Sequence, residues 1–279
     1  MDAAIPVGAT SEALDDFDRR LLIGAAIGIG LVVAVSTPVH FLAPSLLHVP
    51  AAGRGGFGQR LGLDLISLTM TALCAAHSVR TFGRTATILF IIGSFVFTGA
   101  IENFLVLSGR FHLLPFGTYT FIYGGLLYFV EVPVAICLGW FTIAYSAFFV
   151  MHTVFRRINP LWSALLAGVF AMCLDLMEDP VMSSPAVNAW TWLQKPHSTL
   201  TLFSVPVYNY PGWLGVIALF ELLWVKARGW EQQLGKPVAT RRFFLGVPLV
   251  AAVYLGVVLG FEFFVRAHLP HVNLGFGGL

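Results

Sequence analysis

Three carboxylates in one short stretch of the chain have the spacing that acid chemistry requires. Asp175, Glu178 and Asp179 occupy positions i, i+3 and i+4 of an apolar run, which places them on one face of a helix. Three neighbouring negative charges in a medium of low dielectric cannot all persist, so at least one of these groups is expected to be protonated at neutral pH. The spacing therefore predicts a proton donor held in apolar surroundings.

Most other acidic residues are also embedded in apolar sequence. Of the nine acidic residues after position 60, Glu231 is predicted in a loop and the other eight lie in or at the edge of apolar runs. Ionisable residues inside a membrane are costly and usually face a bundle interior or a wet cavity, so each is a candidate site residue. Six of them are expected within about 5 to 10 Å of the helix ends on the side of the membrane opposite the N-terminus. These are Asp64, Glu102, Asp175, Glu178, Asp179 and Glu262.

Local explanations also fit some of these carboxylates. Asp64 and Glu262 each have an arginine one helical turn away and can form an ion pair with it. Asp179 precedes Pro180 and can end a helix as a hydrated residue at the membrane surface. Glu102 has no such partner within its apolar run, so its convergence with the carboxylates around position 175 favours a functional site.

The composition predicts an integral membrane protein. Hydrophobic residues make up 57% of the 279 residues and charged residues 11%, against about 25% charged in soluble domains. This balance excludes a soluble globular enzyme and a disordered chain. Seven runs approach the length that crosses a bilayer, and they predict a single-domain, all-α polytopic bundle over 1–279. They lie near 21–43, 61–79, 85–107, 121–152, 160–179, 211–225 and 243–265.

Two of these runs are irregular. The fourth is interrupted at Pro133, so its first part, which includes Glu131, can lie in the interface or re-enter the membrane. The sixth is short, and Glu221 within it is predicted to lie alone and deeper toward the cytoplasmic side.

The distribution of basic residues predicts the orientation. With seven spans, 11 of the 16 Lys and Arg residues fall on the face that carries the N-terminus, and five fall on the opposite face. The positive-inside rule then predicts a cytoplasmic N-terminus in the cell membrane, with residues 1–20 as a short acidic cytoplasmic tail. A net charge of +2 is too balanced for a nucleic-acid partner.

Motifs for metal or redox chemistry are not found in the sequence. The eight histidines do not form the clustered boxes of a membrane di-iron enzyme, and no Gly-rich dinucleotide motif is present. We therefore expect no metal and no cofactor. Residues 180–211 hold five of the 15 prolines together with several Trp and Tyr residues. This composition predicts an outer loop that packs on the bundle.

The motifs between about residues 100 and 215 resemble, in matching order, the membrane carotenoid hydratases of the bisanhydrobacterioruberin hydratase and gamma-carotene 1'-hydroxylase type. The motifs are Glu102, Pro115-Phe116-Gly117 with Tyr119, Val132-Pro133 with Trp140, Asp175-Leu176 with Asp179-Pro180, Trp190 with Trp192, Phe203, Val205-Pro206, Asn209 and Gly212-Trp213.

The resemblance implies addition of water across the terminal 1,2 double bond of an acyclic (ψ) carotenoid end group, which gives a tertiary alcohol without a cofactor. It implies Asp175 as the proton donor, with Asp179 and Glu102 holding or activating water, and these roles can be exchanged. Asn209 would orient water or a carboxylate. The polyene channel would be lined by Phe116, Tyr119, Trp190, Trp192 and Trp213.

Other functions use the same residue types. A membrane terpene or carotenoid cyclase or isomerase needs the same acid without water. A proton-coupled transporter of a lipophilic substrate or a non-catalytic carotenoid-binding protein can also contain buried carboxylates. The expected partners are a carotenoid or other isoprenoid substrate, the bilayer and other enzymes of the carotenoid pathway.

Overall fold

The computed structural model describes residues 16–43, 56–110, 119–122, 124–155, 158–192 and 201–268. Seven helices in these ranges are long and apolar enough to cross a membrane, which confirms the predicted all-α polytopic fold. The helices are α1 (Asp16–Leu42), α2 (Phe57–Phe82), α3 (Arg84–Arg110), α4 (Val134–Val154), α5 (Pro160–Met182), α6 (Asn209–Leu234) and α7 (Lys236–His268).

In the described residues between the helices, six short strands form three antiparallel pairs. Strand β1 pairs with β4, β2 with β3, and β5 with β6. The strands are β1 (Tyr119–Phe121), β2 (Tyr128–Phe129), β3 (Val132–Pro133), β4 (Trp190–Trp192), β5 (Thr201–Leu202) and β6 (Val205–Pro206).

The predicted fourth span, 121–152, was wrong at its start. Helix α4 begins at Val134, and the residues before it form β1, β2 and β3. Pro133 is the N-cap residue of α4, and the fixed φ and missing N–H of proline suit the start of a helix but not its interior. Glu131 therefore lies in the β2–β3 hairpin and not in a helix.

The sixth span, predicted at 211–225, is longer than expected. Helix α6 continues to Leu234, so Glu231, which was predicted in a loop, is helical and pairs with Arg228 one turn earlier. Gly235, with a φ of 80°, is the C-cap residue of α6, and α7 begins at Lys236. Hydropathy identifies the part of a helix that lies in lipid. Charged residues can continue the same helix beyond the lipid, and hydropathy does not detect that part.

Residues 16–20 of the predicted acidic tail are the start of α1. Asp18 is fully buried, and its Oδ1 accepts a hydrogen bond of 3.1 Å from Arg241 Nε on α7. Residues 1–15 lie outside the described part of the chain. The orientation across the membrane stays a prediction.

An aromatic core joins α3, α4, α6 and α7. Phe90, Phe141, Phe220, Trp224 and Phe243 are all at most 2% exposed, and the rings of Phe90 and Trp224 lie 4.8 Å apart in an edge-on arrangement. Interlocked rings of this kind fix the relative positions of four helices and so hold the scaffold rigid around the site.

Helices α5 and α6 approach each other closely through small residues. Ala164, Ala167 and Ala171 on α5 are completely buried. A Cβ added to Gly168 would lie 2.5 Å from the backbone oxygen of Leu214 on α6. Small residues at a helix interface let backbones approach, as is common in membranes. This contact brings the end of α5, with its aspartates, beside the start of α6.

The β2–β3 hairpin and the residues just before it are fixed by polar side chains of α2 and α3. Asn103 on α3 donates to the Phe129 carbonyl at 3.0 Å and accepts from the Glu131 backbone N–H at 2.8 Å. Asp64 on α2 accepts from the Leu126 backbone N–H at 2.6 Å. These bonds satisfy hairpin backbone groups that lie away from strand partners. Asn103 and Asp64 therefore hold this hairpin in place.

Candidate active site

Two of the predicted α5 carboxylates share one amide. Asn209 is the first residue of α6, and its Nδ2 donates to Asp175 Oδ2 at 2.8 Å and to Asp179 Oδ2 at 2.7 Å. Asp175 and Asp179 are 0% and 2% exposed. The spacing of four residues puts both aspartates on one face of α5, and the close packing of α5 on α6 brings that face to Asn209.

Glu102 on α3 is held by two aromatic donors. The Tyr119 hydroxyl on β1 donates to Glu102 Oε2, and the Trp140 indole N–H on α4 donates to Glu102 Oε1 at 3.0 Å. Burial, and then the neighbouring Glu102 carboxyl, raises the pKa of the Tyr119 hydroxyl well above its ordinary value. Tyr119 therefore stays neutral and acts as a hydrogen-bond donor to Glu102.

The β1–β4 strand pair links the two carboxylate groups. Tyr119 on β1 lies opposite Trp192 on β4, and their rings are 5.1 Å apart. Two residues before Trp192, Trp190 donates its indole N–H to Asp179 Oδ1. One strand thus contacts Glu102 and its partner contacts Asp179, so a two-stranded ribbon positions acids from α3 and α5 relative to each other.

A cavity of about 250 Å³ lies between these carboxylates. Glu102, Glu178, Asp179 and Asn209 contribute polar groups to its wall. Its aromatic lining consists of Tyr119, Phe121, Trp140, Trp190, Trp192 and Trp213. A mostly apolar wall with a few convergent polar groups is typical of a small-molecule site.

The structure separates the three carboxylates of α5. Asp179 borders the cavity, whereas Asp175, expected as the proton donor, lies behind it and is not among the described residues of the cavity wall. Asp175 Oδ1 is buried, and no described residue forms a hydrogen bond with it. Glu178 is exposed at the edge of the cavity, and no described residue forms a hydrogen bond with it. Equal spacing on a helix does not mean equal access to the cavity.

A second, smaller cavity of about 20 Å³ lies on the other side of Tyr119 and Asn209. Tyr208 and Tyr254 also border it. A cavity of this size holds about one water molecule when polar groups line it. Tyr119 and Asn209 border both cavities, so the two spaces meet at the hydrogen-bond donors of the carboxylates.

The other predicted binding residues are placed as follows. Trp213 on α6 packs against Trp140, with the ring centres 4.3 Å apart, and both rings line the main cavity. Phe116 lies outside the described residues, as does the side chain of Glu262. The structure therefore brings five of the six predicted aromatic and amide residues to one cavity: Tyr119, Trp190, Trp192, Asn209 and Trp213.

The remaining acidic residues lie elsewhere. Glu221, predicted to lie apart from the other carboxylates, accepts from Ser163 Oγ at 3.1 Å and lies 3.4 Å from His152 Nε2. Glu131 lies 3.6 Å from His40 Nε2. The contacts of Glu221 join α6 to α5 and α4, and the contact of Glu131 joins the β2–β3 hairpin to α1. Neither carboxylate borders the main cavity in the described part of the chain.

Several residues of the site were not selected from the sequence as site residues, among them Trp140 and Tyr254. Trp140 holds Glu102, and its position inside an apolar span was a usable signal because a buried indole N–H needs an acceptor. Tyr254 on α7 borders the smaller cavity, and nothing in its local sequence marks it. No group of three or more His, Cys, Asp and Glu residues that could hold a metal occurs among the described residues.

Fold and site together define a multi-pass helical membrane protein with a carboxylate-bearing, aromatic-lined cavity. The family model described as carotenoid biosynthesis protein matches residues 62–275. The chain belongs to this family, which confirms the carotenoid biosynthesis family that the motifs resembled. Family membership gives the protein an enzymatic role in carotenoid biosynthesis. No curated protein and no solved structure matches the chain.

Proposed function

We propose that this protein adds water across the terminal 1,2 double bond of an acyclic carotenoid end group and releases a tertiary alcohol. One observation carries the proposal: Asp179 and Glu102, from two different helices, border the same aromatic-lined cavity. Hydration of an alkene needs an acid that protonates carbon and a base that activates water. Two carboxyl groups on one apolar cavity can supply both functions.

The acid in this proposal is Asp179. Asp175 and Asp179 both receive a hydrogen bond from the same amide nitrogen, and two negative charges so close together in a low dielectric are costly, so the pair retains one proton. Asp179 borders the cavity and can reach a substrate carbon. Asp175 is not among the described residues of the cavity wall, so it acts through Asp179.

Proton transfer from Asp179 to C2 of the double bond forms the C2–H bond and leaves a tertiary cation at C1. Trp140, Trp190, Trp192 and Trp213 surround the cavity, and the faces of indole rings attract a cation. The tertiary cation therefore forms more readily in this aromatic-lined cavity than in bulk lipid.

Water completes the reaction. A water molecule from the smaller cavity, beside Tyr119 and Asn209, forms the C1–O bond and transfers a proton to Glu102. The neutral Tyr119 and the Trp140 indole stabilise the negative charge of Glu102 before this transfer. Transfer of that proton back to Asp179 restores the starting state, so the net reaction consumes one substrate and one water.

The test is mass spectrometry of the pigments from a host that makes lycopene or gamma-carotene and expresses the protein. The variants are Asp179→Asn and Glu102→Gln, with Asp175→Asn for comparison. Glu231→Gln is the matched control, because Glu231 is an acidic residue of α6 that pairs with Arg228 away from the main cavity.

A pigment heavier by one water, lost in Asp179→Asn and Glu102→Gln and retained in Glu231→Gln, is the expected result. Full activity in Asp179→Asn with complete loss in Asp175→Asn would return the acid role to Asp175. A product of unchanged mass but altered retention time would instead identify a cyclase or isomerase that uses the same acid. Unaltered pigment with folded protein in the membrane would refute hydration of these substrates.

A further inference from the structure

The main cavity is too small for a complete long-chain isoprenoid. Its volume is about 250 Å³, whereas pockets that enclose drug-sized ligands measure roughly 300–1,000 Å³. A carotenoid is longer than such ligands, so only one end group fits between the carboxylates. The rest of the chain must leave the cavity on a side that accepts hydrocarbon.

One side of the cavity is open at the level of the membrane interior. Ile66 and Met70 of α2 line the cavity, yet they are 66% and 47% exposed. At 1.5 Å per residue they lie about 14 and 20 Å from the start of α2, near the middle of this 26-residue helix. Acyl chains surround a spanning helix at that depth. The open side therefore faces lipid.

Hydrogen bonds between α2 and α4 prevent a hydrocarbon chain from passing directly through the contact of these two helices. Ser67 Oγ donates to the Ala135 carbonyl at 2.6 Å, and Thr71 Oγ1 donates to the Leu138 carbonyl at 3.5 Å. These bonds join the two helices along their contact. A hydrocarbon chain that leaves the cavity therefore cannot pass through these two bonds, and it must pass over the surface that α2 and α4 form beside them, where Ile66 and Met70 lie.

Gly139 of α4 lies on that surface. It lines the cavity, and a Cβ added to it would meet no heavy atom of the described residues within 4 Å. Helix packing explains other glycines: a Cβ at Gly93 would lie 2.4 Å from the Phe243 ring, and one at Gly99 would lie 3.1 Å from the Phe129 ring. No described residue packs where a side chain of residue 139 would lie, so the missing side chain leaves space in the cavity.

We propose that Gly139, Ile66 and Met70 form a lateral opening through which the hydrocarbon chain of a long isoprenoid passes between the cavity and the acyl chains of the bilayer. The identity of that ligand rests on the proposed function. The opening makes Gly139 a residue that determines whether a long substrate enters, without taking part in the chemistry.

Retention of polyene by the purified protein tests this opening independently of catalysis. Gly139→Leu places a side chain in the passage, where an added Cβ meets no heavy atom of the described residues within 4 Å. Gly256→Leu on α7 is the matched control. A Cβ at Gly256 also meets no heavy atom of the described residues within 4 Å, and Gly256 is exposed and is not among the described residues of the cavity wall. Both variants carry Asp179→Asn to stop turnover, and the probe is lycopene measured by its absorbance per protein. We expect retention to fall about 10-fold or more in Gly139→Leu and to stay unchanged in Gly256→Leu.

Photo-crosslinking locates the bound chain. Benzoylphenylalanine replaces Met70 at the opening or Leu73 on the same helix, which is 63% exposed but does not line the cavity. Lycopene should crosslink at Met70 in clear excess over Leu73. Unchanged retention in Gly139→Leu, or equal crosslinking at both positions, would overturn the opening.

The two proposals fail separately. If lycopene is retained and crosslinked as expected but no hydrated pigment forms in the active protein, the opening stands and hydration fails. If hydration occurs and Gly139→Leu retains lycopene like the control, hydration stands and the opening fails. Absence of retention in every form of the protein would overturn the opening.

Discussion

Replacement of Asn209 by leucine should uncouple the two aspartates of α5. Leucine has nearly the same size but removes the N–H groups that contact Asp175 and Asp179. Asp175 then has no hydrogen-bond partner among the described residues, whereas Asp179 keeps the Trp190 indole. The proposed acid thus keeps one of two donors and loses the group that fixes it relative to its neighbour.

The size of the effect follows from these bonds. Asp179 becomes a carboxylate as it releases its proton, and a hydrogen bond to a charged group contributes about 1.5–3 kcal/mol. Each ~1.4 kcal/mol corresponds to tenfold in rate. Loss of the bond to Asp179 alone should therefore slow hydration about 10- to 150-fold. The assay is the initial rate of hydrated-pigment formation in membrane vesicles, divided by the amount of folded protein from detergent size-exclusion chromatography.

A double-mutant cycle separates this explanation from simple loss of a substrate contact. In the Asp175→Asn background, the new amide can itself donate to Asp179. The added effect of Asn209→Leu should then be smaller by about 0.5–3 kcal/mol, as for residues in one network. Effects of the two substitutions that multiply independently, or a rate for Asn209→Leu within about threefold of the unchanged protein (under ~0.7 kcal/mol), would refute the shared-amide argument.

Three further predictions concern water and packing. Tyr254→Phe removes a hydroxyl from the smaller cavity, so the ratio of hydrated product to isomers of unchanged mass should fall, and a constant ratio would contradict this source of water. Gly168→Leu brings a side chain against the Leu214 backbone and should lower the free energy of unfolding by about 1–3 kcal/mol or more. The measurement is the midpoint of thermal unfolding in detergent, which should fall. Gly229→Leu should leave this midpoint unchanged, because a Cβ there meets no heavy atom of the described residues within 4 Å. Glu221→Ala should cost about 1–3 kcal/mol by leaving buried polar partners unsatisfied, and Glu221→Gln, which keeps an acceptor oxygen, should unfold at a higher temperature than the alanine variant.

The spans were largely predictable because the bilayer imposes a length and an apolar composition on every crossing segment. Hydropathy failed where other physics sets the helix boundary. At Val134 the preceding proline starts the helix later than the apolar run begins. At Leu234 and Lys236, charged residues continue two helices beyond the lipid and meet at Gly235.

The site was predictable in its members but not in its arrangement. The rarity of carboxylates in apolar sequence selected Glu102 and the three acids of α5, because such residues are costly without a role. Their order of access was not predictable, since Asp175 and Asp179 share a helix face and only the packed structure shows that Asp179 borders the cavity. Trp140 and Tyr254 were missed because their roles depend on helices distant in sequence.

The sequence by itself determined a seven-helix membrane protein of the carotenoid biosynthesis family and a set of buried acids, because apolar length and helical spacing are local properties. The tertiary structure decided that Glu102 and Asp179 border one cavity, that Asn209 bridges two aspartates, and that a β1–β4 ribbon connects both groups. These relations join α3, α5 and α6 through packing between segments up to about a hundred residues apart. Local sequence patterns carry no information about which of the many possible packings is adopted, and only the packed structure places the acids around a common space.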